Sequence, residues 1–202
     1  MKSKKQLAIA LSKLDVFSEA DPSKEQYATD SEVAASILWD AFMQGDIENK
    51  VIADLGCGTG ILGIGCLLLG AKKVYFVDVD SKVLEILKKN LEAVEFEGEY
   101  KILNIDVSSF DEEVDVVVEN PPFGVQREHA DKVFLQKAFD IADIVYTLHK
   151  PESKDFIEAI SGDNGFRVAS YIEYEMPLKA AMKHHTRKIY RIKVGCWRLI
   201  SP

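Results

Sequence analysis

A chain of 202 residues, 47% hydrophobic and 29% charged, has enough apolar material for one full core and enough charge to stay in water. No apolar stretch approaches the ~18 residues of a membrane span. Ser12 and Lys13 interrupt the apolar part of the N-terminus before it reaches the ~7–15 residues of a signal-peptide core, so neither a membrane nor a secreted protein is expected. The net charge of −8 argues at face value against a nucleic-acid partner, but the charge is unevenly spread. Residues 1–14 hold four lysines and no acid, residues 177–202 hold seven Lys or Arg and no acid, and the acid is concentrated between them. Cys57, Cys66 and Cys196 show no CxxC spacing, which argues against a disulfide framework or a self-contained zinc site and suits a reducing cytoplasm.

Short β-rich runs alternate with helical stretches, the pattern of a parallel α/β sheet in one domain of residues 1–202, with 1–45 as a helical cap and 46–202 as the core. Lys4–Leu14 reads as a short amphipathic helix, followed by a loop at Asp21-Pro22-Ser23. Ser31–Met43 is a second helix with Ala34, Ile37, Leu38, Ala41 and Phe42 on one face. Val51–Leu55 is a strand running into a glycine-rich turn. Ile61–Leu69 is a helix closed by Gly70 as a left-handed cap. Val74–Val77 is a strand, and Ser81 caps a helix through Leu91. Tyr100–Ile105 and Val114–Val118 are the third and fourth strands. Ala130–Phe139 is a helix, Ile144–Leu148 a fifth strand, and Pro151 opens a helix where proline is tolerated. After a loop at Ser161–Gly165 come a strand over Phe166–Glu175 and a last alternating run, Ile189–Val194 then Trp197–Ile200. Two strands with no helix between them imply an antiparallel pair at the sheet edge, and the total is about seven.

The segment Val51 to Gly60 carries Asp54, Gly56, Gly58 and Gly60 at a strand–turn–helix corner. The glycines permit a tight turn and close approach of a ligand to the backbone, and the helix start offers unpaired N–H groups. Dinucleotide enzymes use a similar loop, but Asp54 would repel a pyrophosphate and suits a cationic or amino group. At the end of the second strand Asp78 is placed to accept both hydroxyls of a ribose, with Asp80 as the alternative or as a helix cap. Asp106 beside Val107 suits an adenine amino group and face, or is simply a turn residue.

Together these features resemble the class I S-adenosylmethionine-dependent methyltransferases over residues 26–200, a Rossmann-like fold with helices on both faces of the sheet. The resemblance implies S-adenosylmethionine as cofactor. It places Asp54, Leu55, Gly56, Cys57, Gly58 and Gly60 along the methionine and ribose end, Asp78 and Val79 at the ribose, and Asp106 and Val107 at the adenine.

Asn120, Pro121, Pro122 and Phe123 follow the fourth strand, where ligands of such sheets bind. A planar exocyclic amine is a poor nucleophile because its lone pair is delocalised. If the Asn120 side-chain oxygen and the Pro121 carbonyl accept its two hydrogens, the nitrogen is driven toward the pyramidal form. Phe123 can then stack on the base or amide plane. Orientation supplies most of the rate, and no strong base is needed. This pattern is similar to methyltransferases acting on adenine N6, guanine N2 or a glutamine amide. The last group usually has Tyr at the position of Phe123, which leans this chain toward a nucleobase.

Three segments narrow the resemblance: Glu25 to Thr29, Asn120 to Gly124 with its basic continuation, and Val145 to Lys150. Together they look like the methyltransferase-like protein 5 family and its archaeal relatives, which make N6-methyladenosine in small-subunit ribosomal RNA. That resemblance implies that Gln26, Tyr27 and Thr29 close over the cofactor and that Asn120 contacts both cofactor and adenine. It also implies a small zinc-ribbon activator added along a sheet edge.

Arg127, His129 and Lys132 either meet RNA phosphates or form a solvated helix start. Lys183, His184, His185, Arg187 and Lys188 suit phosphate contact, and no acid or cysteine surrounds the two histidines as a metal set. Cys57 reads as packing rather than as a nucleophile, and His149 as a pocket-shaping strand end rather than as a base. Trp39 and Trp197 read as core. The alternatives are a protein glutamine-N5 or guanine-N2 methyltransferase, a non-catalytic cofactor-binding scaffold for a partner protein, and a nucleotide-binding oxidoreductase.

Overall fold

In the computed structural model, residues 1–16, 29–122, 130–178 and 190–202 are described. Helix α1 (Lys4–Leu11) starts at Ser3, whose hydroxyl accepts from the Gln6 N–H. It stops short of Leu14, at Ser12, whose hydroxyl turns back to the Ile9 carbonyl. Helix α2 (Ser31–Met43) starts at Asp30, which accepts from the Glu32 and Val33 N–H groups. Then follow β1 (Val51–Leu55), α3 (Ile61–Leu68), β2 (Lys73–Val77), α4 (Ser81–Glu92), β3 (Glu99–Leu103), β4 (Val116–Glu119), α5 (Ala130–Ile141), β5 (Ile144–His149), α6 (Lys154–Asp163), β6 (Arg167–Leu178) and β7 (Tyr190–Ile200). Asp80 rather than Ser81 caps α4, accepting from the Lys82 N–H. Both side chains can cap; the residue still extended before the helix takes the role.

The seven strands lie in the order β3-β2-β1-β4-β5-β7-β6. β1 to β5 pair in parallel, and β7 runs antiparallel to both β5 and β6. The expected antiparallel pair is therefore present, with β6 outermost. The two halves of the last alternating run join as one strand through Gly195, where a Cβ would collide with the rings of Trp197 and Tyr171.

Strands buried on both faces read as nearly continuous apolar runs, and two cores explain them here. Leu7, Leu11, Leu38, Leu67, Leu87 and Leu148 belong to the core that α1 to α4 cover. Leu55, Val117, Leu135, Ala138, Ile157 and the fully buried Trp197 belong to the core under α5 and α6. Trp39 packs on the rim of the first core. Buried Asp46, after α2, receives the Tyr146 hydroxyl at 2.6 Å and the Arg198 guanidinium at 2.7 Å, tying the α2–β1 turn to β5 and β7. No helix among the described residues is long and apolar enough to cross a membrane.

Candidate active site

The register sets the ends of four parallel strands side by side. Leu55 pairs with Val77 on one side and Glu119 on the other, and Glu119 pairs with Thr147. Gly56, Asp78 and Asn120 are each the residue that follows this row, so three chain segments far apart in sequence open onto one ledge.

Asp54 lies one residue below the ledge and is 1% exposed. Its Oδ2 accepts from the Gly63 N–H at 2.8 Å, so an acid on β1 caps α3 across the glycine turn and faces the positive end of that helix. Gly60 has φ +88, and a Cβ there would overlap Leu87; one at Gly63 would overlap Phe76 and crowd the Asp54 carboxylate. Burial pushes the Asp54 carboxyl up to about 7; the Gly63 N–H draws it back and the charge of Asp78 adds to the rise. Asp78 is raised as well, chiefly by burial. Its Oδ2 accepts from the Gly58 N–H and its Oδ1 from the Asp80 N–H, both at 2.9 Å, and Asn104 donates to its carbonyl. Asp78 thus anchors the loop as well as presenting an acid. A fully buried Asp54, pushed further toward its protonated form by Asp78, and a largely buried Asp78 beside a left-handed Gly58 that faces open space fit a cationic ligand with hydroxyls.

Asp106 is exposed and caps the 3-10 turn Val107–Ser109, accepting from the Ser108 N–H and hydroxyl. Val107 and Leu55 are buried in the second core, so the ledge is offered their main chain. Val79 is exposed at the end of β2. Cys57 is buried and its thiol is raised well above its ordinary value by burial and by the charges of Asp54 and Asp78, the setting of a packing residue rather than a nucleophile.

Asn120 donates from Nδ2 to the Thr29 hydroxyl at 3.0 Å, and Thr29 is 5% exposed. That bond turns the amide nitrogen toward Thr29, just before α2, and its oxygen to the opposite side. Pro121 is buried and Pro122 half-buried, so the backbone after Asn120 is pinned as the two prolines imply. Lys132 is exposed on α5. Gln26, Tyr27, Phe123, Arg127, His129, Lys183, His184, His185, Arg187 and Lys188 lie outside the described residues.

Asn90 was not anticipated. Buried on α4, it accepts from the Asp15 N–H at 2.7 Å and donates to the carbonyls of Asp15 and Thr59 at 2.9 and 3.0 Å. One side chain therefore ties the segment after α1 to the glycine loop. Asn90→Ala is expected to cost about 2 kcal/mol of stability by leaving these groups unpaired, read from denaturant unfolding.

Buried acids also set a pH dependence. Asp54 and Glu119 hold protons up to about 7 and about 8 in the fold, against 3.8 and 4.5 as ordinary values. Their protonated forms are favoured by folding, so the stability they contribute is full below their ordinary values and is lost as pH rises through the folded ones. His149, pulled down to about 3 by burial, acts at the other end: its share is lost as pH falls from 6.5. The Tm of the ligand-free protein should therefore fall between pH 6.5 and about 8, and thermal scans at constant ionic strength check this.

The fold and the acid-lined glycine loop define a class I S-adenosylmethionine-dependent methyltransferase. A family model described as "Methyltransferase small domain" matches residues 23–143. The chain is 35% identical to the rRNA N(6)-adenosine-methyltransferase METTL5 of Danio rerio, covering 94% of this chain and 95% of that protein. It is 35% identical to an uncharacterised protein of Methanocaldococcus jannaschii, over 98% of this chain and 94% of the relative. A crystal structure of a candidate RNA methyltransferase from Pyrococcus horikoshii superposes with a TM-score of 0.90 at 46% identity, covering 100% of this chain and 99% of that one. The chain belongs to the methyltransferase small-domain family and, within it, to the methyltransferase-like protein 5 group.

Proposed function

We propose that this enzyme methylates N6 of an adenosine in small-subunit ribosomal RNA. The observation that carries the reading is Asn120 at the end of β4, its amide nitrogen committed to Thr29. Relatives named as rRNA N(6)-adenosine-methyltransferases, aligned over nearly the whole chain, support the choice of base.

The bound cofactor supplies an electrophilic methyl on a sulfonium. The chain's residues bind and orient around it. Asp54 complements the cationic end, Gly56, Cys57, Gly58 and Gly60 let the backbone approach, Asp78 with Val79 takes the ribose, and Asp106 with Val107 takes the adenine. Asn120 Oδ1 and the Pro121 carbonyl accept the two hydrogens of the target amine, which returns its lone pair to nitrogen. Phe123 stacks on a base flipped from the RNA. The amine's surplus proton passes to water at the loop.

Residues 1–45 act as a cap, with Thr29 as its latch on Asn120 and Gln26 and Tyr27 over the cofactor. Arg127, His129, Lys132 and the basic run from Lys183 to Lys188 meet phosphates, a local footprint on an acidic chain that works in the cytoplasm. The zinc-ribbon activator adds a strand to β3. This edge strand pairs with β2 alone among the described residues, carries no proline, and presents Tyr100, 47% exposed, against Phe96. The other edge, β6, is blunted by Pro177 and by a register shift between Val168 and Ser170.

Labelled methyl groups from S-adenosylmethionine should appear in in vitro-transcribed small-subunit rRNA. Label in protein alone would point to a glutamine amide and refute the reading.

A further inference from the structure

Glu119, Thr147 and His149 leave the sheet on the face covered by α5 and α6. Glu119 and Thr147 share a rung of the β4–β5 ladder, and His149 stands two residues further along β5. Their exposures are 0%, 0% and 1%. The Thr147 hydroxyl donates to Glu119 Oε1 at 2.8 Å and lies 2.7 Å from His149 Nε2, which donates to it in the tautomer that completes the chain. The Trp197 ring closes the far end, edge-on to His149 at 6.0 Å. Glu119 Oε2 is buried and has no hydrogen-bond partner among the described residues. A row of three polar side chains inside an apolar core is costly, and a core needing only volume would be better filled by hydrocarbon. The row begins one residue before Asn120.

We propose that Glu119, Thr147 and His149 are positioning residues for amino-group methylation, a hydrogen-bonded relay across β4 and β5 that fixes the end of β4 and so the aim of the Asn120 side chain. This rests on the reading of Asn120 as the residue that holds the target amine. The relay is electrically neutral at pH 7. Burial pushes the Glu119 carboxyl up to about 8; the Thr147 hydroxyl draws it back, and Asp131 and Asp54 add to the rise. Burial pulls the His149 imidazole down to about 3. With Oε1 accepting from Thr147, the Glu119 proton resides on Oε2. Among the described residues, the charged and titratable groups around Glu119 are Asp54 on β1, Asp131 on α5 and His149 on β5, so ionising Glu119 adds an anion near two others. That repulsion displaces the end of β4, and Asn120 moves with it.

The test is the pH profile of methyl transfer to in vitro-transcribed small-subunit rRNA, from pH 6 to pH 9.5, for wild type, Glu119→Gln, Thr147→Val and Asn120→Ala. Wild type should lose kcat above about pH 8. Glu119→Gln, which cannot ionise, should have kcat lowered about threefold at pH 7 and no further alkaline loss. Thr147→Val should lower kcat about tenfold, with the cofactor Kd within about twofold of wild type. A purely structural role would lower Tm in both variants and leave kcat and its alkaline limb as in wild type, which overturns the proposal. The Asn120→Ala variant separates the two failures. If it still transfers methyl, the reading of Asn120 falls and the relay with it. If it is inactive while Glu119→Gln and Thr147→Val match wild type at every pH, the relay alone falls.

Discussion

Asn120→Ala should lower kcat for methyl transfer at least about a hundredfold while the cofactor Kd changes less than about threefold. The contrast follows from where Asn120 sits. It follows the row of strand ends formed by Leu55, Val77 and Glu119, and its Nδ2 is held by Thr29 at 3.0 Å. Alanine removes the oxygen proposed to accept from the amine and leaves Asp54 and Asp78 in place. Misorientation of a reacting group by about 1 Å can cost a hundredfold, so losing the orienting group costs at least that. Thr29→Val makes a graded companion: it removes the latch but keeps Asn120, and a loss in kcat of about tenfold is expected. Single-turnover transfer to RNA and calorimetric titration of the cofactor measure the two quantities separately.

Asp78→Ala should have the opposite signature, weakening cofactor binding about a hundredfold. The Asp78 carboxylate takes the N–H groups of Gly58 and Asp80, and in the proposed function it also takes the ribose. Hydrogen bonds to a charged group contribute about 1.5–3 kcal/mol each. Loosening the loop and removing one such acceptor together amount to about 3 kcal/mol, roughly a hundredfold in Kd. Asp78→Asn keeps one acceptor and sets its NH2 against the N–H of the other loop partner, and about a tenfold loss is expected. At saturating cofactor, kcat of Asp78→Asn should approach the wild-type value, since Asn120 is untouched.

Much of the strand framework around this site could be read from the sequence. β1, β2, β4 and β5 are legible because strands buried on both faces are largely apolar runs, and the acid-and-glycine corner and the Asn-Pro-Pro turn stand at the ends of β1 and β4. What could not be read depends on contacts set by the fold. The bond from the Gly63 N–H to Asp54 spans nine residues and needs the left-handed turns of the loop to form. Asn90 meets Asp15 across 75 residues, and nothing in either segment announces the partner. The Glu119–Thr147 pair depends on parallel register, which sequence spacing does not specify. A signal was nonetheless present: an acid directly after the apolar Val116–Val118 run, and a Thr and a His alternating within the buried strand β5. Asp80 and Ser81 could both be read as the cap of α4, because they have the same capping chemistry and only backbone conformation separates them.

The central claim is that the ledge at Asn120 methylates adenine N6 in RNA. Its most direct test is mass spectrometry of nucleosides from in vitro-transcribed small-subunit rRNA after incubation with the protein and S-adenosylmethionine, with and without a zinc-ribbon activator. N6-Methyladenosine is the expected product, reduced at least about a hundredfold in rate with Asn120→Ala. N2-methylguanosine instead, or unmodified RNA beside methylated glutamine in protein, would contradict it.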